Sequence, residues 1–321
     1  MEKRLQNRIA ESVLTINVCS LYGLFTWIIA GIFDSNLWWQ LALMVATNML
    51  MIQMNKSLIL LRIRSWMVSS TFIMLAACCG FNYASMEAGI VGVCMVFALF
   101  MIFLTYQTPD DVTHTYYAYL SLGVASLFFV QTLYFVPLLW LLTIYTIQPL
   151  SWRTWTTSLL GVITPYWFAL PVFLYWQDYE TVVAHFQPLV CLPENVTPLM
   201  PFQFIVFIFI AALTLISVIN FRRKSYEERI RTRQIYTFLV WFALAVAIFI
   251  ILQPQHFNTL IRTAIICVSP FIAHFFTFTN TKYTNYLFFV VLAIVVVLSL
   301  ISVNKTLLSY ANQLIADGLG Y

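Results

Sequence analysis

Residues 202–218 read FQFIVFIFIAALTLISV and residues 287–303 read LFFVVLAIVVVLSLISV. Each is 17 residues without a charge, about the minimum for a helix that crosses a bilayer's hydrocarbon (~17–25 residues). Both are apolar on every face. An outer-membrane barrel strand would instead alternate apolar and polar side chains over ~10 residues, so a barrel is excluded and a helix bundle is predicted. The whole chain agrees: its 321 residues include 16 Lys or Arg and 12 Asp or Glu, and 62% are hydrophobic. A soluble domain of that length carries about 80 charges, and no soluble surface can be made from so few.

Outward from these two stretches, nine runs are long enough to span: 13–33, 37–54, 65–83, 89–106, 155–176, 202–219, 235–252, 260–278 and 286–303. The first exceeds the ~7–15-residue core of a signal peptide and reads as a retained anchor. Residues 113–148 carry no charge after His114. They are too long for one helix and suffice for two short ones, with a turn near Gln131 and Thr132.

The positive-inside rule, which weighs Lys and Arg in short loops, supports that hairpin. Counting it as two crossings gives about 11 spans in a single integral domain over residues 1–321. With the N-terminus in the cytoplasm, Lys3, Arg4, Arg8, Lys56, Arg62, Arg64, Arg153, Arg222, Arg223, Lys224, Arg229, Arg231, Arg233 and Lys282 lie inside, 14 of the 16. Only Arg262 and Lys305 lie outside. Were 113–148 one helix, eight of the 16 would face out and the asymmetry would vanish. A re-entrant loop would give the same parity. The reading places a basic segment, 221–234, in the cytoplasm, and puts an external loop, 177–201, and a tail, 304–321, outside.

Local signals refine this. Thr108-Pro109-Asp110-Asp111 predicts a helix start, with Thr108 as cap, Pro109 in the first position and acids against the positive helix end. Within 221–234, the pairs Arg223/Glu227, Lys224/Glu228 and Glu227/Arg231 fall at i,i+4 and predict a helical extension. Trp38, Trp39, Trp66, Trp152, Trp155 and Trp176 cluster at segment ends as interfacial anchors. Cys19, Cys78, Cys79, Cys94 and Cys267 lie in apolar runs and only Cys191 in a polar loop, so no disulfide framework is implied. The sequons at Asn195 and Asn304 carry little weight.

Few groups could carry chemistry. Asp110, Asp111 and His114 have metal-like spacing, but helix capping explains the acids, and no second set completes a site. No metal and no cofactor are expected. Arg222, Arg223, Lys224, Arg229, Arg231 and Arg233 are candidates for anionic lipid head groups, at about 1 kcal/mol each. The bilayer is the expected partner, other membrane subunits are a further class, and without a domain to read a groove nucleic acid is excluded.

Arg262 is the most informative residue, two positions into an apolar run on the cation-poor side, where it must snorkel or pair. The expected outer-face polar cluster joins Arg262 and His256 with Asp178, Glu180 and Glu194; Asp34 and Glu87 are further acids of that face. His274, one turn after Pro270, is a candidate proton-relay group. Pro137, Pro165, Pro171 and Pro270 lie within spans, where they kink the backbone or open a substrate site. Walker A, GxSxG, HExxH and GxGxxG patterns are absent.

Residues 121–129 (SLGVASLFF), 148–155 (QPLSWRTW) and 161–166 (GVITPY) resemble the central stretch of a family of multi-pass bacterial inner-membrane proteins of similar length. That resemblance implies a bacterial inner membrane and supplies no activity or site; with the charge-based orientation, the N-terminus is expected in the cytoplasm and the C-terminus in the periplasm. More loosely, the chain resembles membrane glycosyltransferases and polymerases that use lipid-linked sugars. It departs from them around Asp34, where a few residues replace their large acidic loop. The function expected is therefore that of a non-enzymatic envelope component or transporter. The alternative is a membrane enzyme acting on a lipid-linked, phosphate-bearing substrate at the outer face, with Arg262 on the phosphate.

Overall fold

The computed structural model describes residues 4–33, 35–108, 110–175, 179–190 and 199–319. Asp34, Pro109, Trp176, Asp178, Cys191, Glu194 and Asn195 fall outside them. All regular structure among the described residues is helical: α1 (Leu5–Glu11), α2 (Leu14–Ile29), α3 (Trp38–Leu58), α4 (Met67–Cys78), α5 (Met86–Leu104), α6 (Val112–Phe128) and α7 (Phe135–Leu142). There follow α8 (Trp152–Tyr175), α9 (Tyr179–Val190), α10 (Pro201–Lys224), α11 (Ile230–Leu252), α12 (Phe257–Phe278), α13 (Lys282–Val303) and α14 (Lys305–Leu319).

Six of these segments are long and apolar enough to cross a membrane, and a seventh is added if α1 and α2, bent by 84°, form one span. The protein is thus an all-helical membrane protein. The nine runs read from hydropathy do not all become long helices. The run 65–83 divides into α4, 12 residues rising about 18 Å, and a 3₁₀ turn at Gly80–Asn82.

Residues 113–148 form two limbs. The first is α6, and the second, Val130–Ile147, joins a 3₁₀ turn, α7 and a π-helical turn into 18 continuous residues. Phe129, in extended conformation, makes the break, two residues before the turn expected at Gln131. The limbs run antiparallel, because Tyr119 of α6 lies beside Trp140 of the return limb (ring centroids 6.4 Å apart). α8 then runs parallel to α6: Gly161 abuts Tyr116 and Leu120, Gly123 abuts Val162 and Pro165, and Tyr166 donates to Ser126 at 2.7 Å.

One end of the bundle gathers the cations. Lys224 Nζ donates to the last carbonyl of α12, Phe278 O, at 3.3 Å, and Arg231 donates to Phe103 O near the end of α5 at 3.1 Å. Both side chains meet helix C-termini, where unpaired carbonyls and the dipole favour positive charge. α1 docks at this basic end through Gln6, which donates to Phe276 O at 2.6 Å. At the far end Gln131 donates to His256 at 2.9 Å, and Asn312 accepts from Phe202 N at 3.0 Å. The turn of the 113–148 hairpin therefore meets the end of the bundle opposite these cations.

Two local expectations are corrected. The cap before the hairpin is Asp111, whose carboxylate accepts from His114 N at 3.1 Å, and not Thr108. Thr108 instead donates to Thr105 O at 2.7 Å, closing the preceding turn. Residues 221–234 are not one helical extension: α10 ends at Lys224, Ser225–Glu227 is a 3₁₀ turn, Glu228 is extended and α11 starts at Ile230. Contacts with another segment draw the two glutamates away from their i,i+4 partners.

Candidate functional site

α12 lies at the centre. Along its membrane window every residue is buried, against 28% for α10, 44% for α11 and 39% for α13. α4, α5, α10 and α11 all pack on it. A helix so enclosed need not be uniformly apolar, and α12 carries Arg262 toward the far end and His274 toward the basic end.

Arg262 is 4% exposed. Its stem lies on α5 at Gly92, where an added Cβ would stand 2.9 Å from Arg262 Cδ; the missing side chain makes room for the arginine. Cys79 and Tyr83, which follow the end of α4, are its neighbours there. Among the described residues it has no ion pair and no hydrogen bond. Glu87, one of the acids of that face, instead accepts from Thr259 at 3.4 Å.

The other members of the sequence-predicted cluster are scattered or undescribed. His256 is half-buried, hydrogen-bonded to Gln131, with its ring 5.0 Å from that of Phe129. Glu180 is exposed on α9. Asp178 and Glu194 lie outside the described residues. Thus His256 and Arg262 share the far end of α12, and Glu87, the described acid there, is bonded to Thr259 and to neither of them.

At the basic end the structure assembles a network that sequence reading missed. Glu228, 6% exposed, forms an ion pair with Arg62 Nε at 3.0 Å and accepts from His274 Nε2 at 3.1 Å. Arg62 Nη2 also meets Glu227 Oε2 at 2.8 Å, and its guanidinium caps the Phe278 ring at 4.6 Å. His274 is 1% exposed and packs against Phe221, Tyr236 and Phe278. Its Nδ1 is buried without a partner. The chain leaves α3 through Ile59 at φ 51, a left-handed turn that a β-branched residue rarely adopts, and so brings Arg62 round to Glu228. The available signals were two: two acids inside a basic run, and one histidine in an apolar helix.

Of the six cluster cations, Arg222, Arg223 and Arg229 are exposed, and Lys224 and Arg231 turn inward onto carbonyls. Arg233 lines a surface pocket of about 450 Å³ with Arg222 and Gln234. Asp111 and His114 pair at 2.7 Å as a helix cap, and among the described residues no cluster of three or more metal-ligating side chains is found.

Comparison with known proteins adds no relative: no family model, no curated protein and no solved structure matches the chain. The class defined by the fold of the described residues is that of a helical membrane protein in which α12, a charge-bearing helix, is enclosed along its apolar window.

Proposed function

We propose that the chain is a transporter-type protein of the bacterial inner membrane, an eleven-crossing bundle with its N-terminus in the cytoplasm and C-terminus in the periplasm, in which α12 handles a small solute. The observation that carries this reading is the enclosure of α12 together with Arg262 and His274. Ionisable side chains within spans are costly and concentrate along solute or ion pathways, whereas a scaffold gains nothing from burying an arginine. The gathering of cations at one end supports the orientation, and the exposed Arg222, Arg223 and Arg229 are placed to meet anionic head groups.

Osmotic swelling of proteoliposomes in potassium phosphate, sulfate, chloride and neutral polyols, with valinomycin present for the salts, tests the reading. The wild-type protein should admit at least one solute faster than protein-free liposomes, and Arg262→Met should lose that flux. Rates equal to protein-free liposomes across the panel would refute transport. The second reading, an enzyme acting on a lipid-linked phosphate at the outer face, is favoured by the unpaired guanidinium and by half-buried Glu87 at the same end. It predicts turnover of such a lipid without swelling.

A further inference from the structure

Arg262 presents five N–H donors with no described protein acceptor. A buried charge of this kind is costly unless something pairs with it. It sits roughly 8 Å into α12 from the helix start, with its stem fixed against Gly92. One turn earlier, on the same helix face, is Asn258. The main-chain carbonyl of Asn258 accepts from Asn82 Nδ2 at 2.6 Å, tying the end of α4 to α12. The two amide oxygens, Asn82 Oδ1 and Asn258 Oδ1, are both buried without a hydrogen-bond partner, and Asn82 as a whole is 1% exposed. Adjacent Tyr83 is fixed by its hydroxyl contact with Thr26 at 2.9 Å. One small region of the far end thus holds unused cationic donors and unused neutral acceptors, with no described carboxylate bound to either.

We infer that the far end of α12 is a binding site for a phosphate ester that bears hydroxyl groups: Arg262 engages the phosphoryl oxygens, and the amide oxygens of Asn82 and Asn258 accept from the hydroxyls. The inference rests on the transport reading for its physiological meaning and on the unpaired groups for its chemistry. A guanidinium fork matches an oxyanion with two parallel hydrogen bonds, and a spherical halide uses it less well. The unpaired acceptors select against sulfate or chloride, which bring no donor, and favour a polyol phosphate. The source is either a soluble phosphate ester or the head group of an anionic lipid.

The test uses the purified full-length protein in detergent and in nanodiscs of phosphatidylcholine or phosphatidylglycerol, with glycerol 3-phosphate, inorganic phosphate and chloride as probes. Glycerol 3-phosphate should raise the wild-type melting midpoint and chloride at equal ionic strength should not. Arg262→Met should melt above the wild type without ligand, because an uncompensated buried charge is gone, and should not respond to phosphate. Arg262→Lys should bind about tenfold more weakly, as expected when a charge-assisted fork is lost. Asn258→Leu should weaken glycerol 3-phosphate more than inorganic phosphate. A response to soluble esters assigns a solute; a rise only in phosphatidylglycerol discs, abolished by Arg262→Met, assigns a lipid head group. The inference is overturned if neither soluble phosphate nor lipid composition shifts the wild type, or if Arg262→Met responds as the wild type does. Binding without flux would uphold the site and refute transport, whereas flux unchanged in Arg262→Met would refute the site alone.

Discussion

Glu228 and Glu227 are chain neighbours, share Arg62 as partner, and should differ sharply in what they contribute. Glu228 is enclosed and serves both Arg62 and His274, so removing its carboxylate leaves the buried His274 ring N–H without its acceptor, while exposed Arg62 keeps Glu227. Leaving a buried donor without its acceptor costs about 1–3 kcal/mol. The Arg62–Glu227 pair has side chains 37% and 34% exposed and belongs to the class contributing about 0–1 kcal/mol. Glu228→Ala is therefore expected to lower the unfolding midpoint in detergent by several degrees, and Glu227→Ala hardly at all. Equal effects would contradict the network. Sequence reading singled out Arg262 and His274, because a charge or an imidazole stands out in an apolar run. It missed Glu228, whose neighbours in the chain offered i,i+4 partners; its actual partner, Arg62, is 166 residues away by number, and no local pattern encodes such a contact.

Among the elements, the hairpin and its seat on α8 matter most. The need for two limbs was legible from charge placement: only a returning limb keeps Arg153 and the 222–233 cations with the N-terminal ones. That the limbs reach the far end was not legible, since a re-entrant loop has the same parity. Contact of Phe129 and Gln131 with His256 supplies the missing length. α6 and α8 touch through glycines, an association typical of helices in lipid. A Cβ at Gly123 would stand 2.6 Å from Val162 O, and one at Gly161 would stand 2.8 Å from Tyr116 O. These obstacles are backbone and cannot swing away. Gly123→Ala is expected to cost about 1–3 kcal/mol through overpacking, read as a lower melting midpoint, and Gly123→Val should prevent a stable fold. A dual reporter fused after Arg153 should give the cytoplasmic signal, and a periplasmic signal would break the eleven-crossing topology. The boundaries at 221–230 were less legible, because i,i+4 charge pairs describe an isolated helix and not one whose acids are claimed elsewhere.

At the scale of the molecule, membrane class followed from charge scarcity alone. Which helix sits at the centre did not, because α10, α11 and α13 are as apolar as a lipid-facing helix needs to be, and α12 is the more polar sequence. In water the most apolar helix is expected innermost; in a bilayer the argument reverses, since lipid accepts apolar faces freely and only protein can accommodate Arg262 and His274. Enclosure of α12 is the premise of both the transport reading and the phosphate site. Nitroxide scanning measures it most directly: single spin labels placed one at a time at positions 263–273 of α12 and 205–215 of α10 in reconstituted protein, with accessibility to membrane-dissolved oxygen as the readout. Accessibility should oscillate with a period near 3.6 residues along α10 and stay uniformly low along α12. An oscillation of equal amplitude along α12 would mean that one of its faces meets lipid, and would contradict the account.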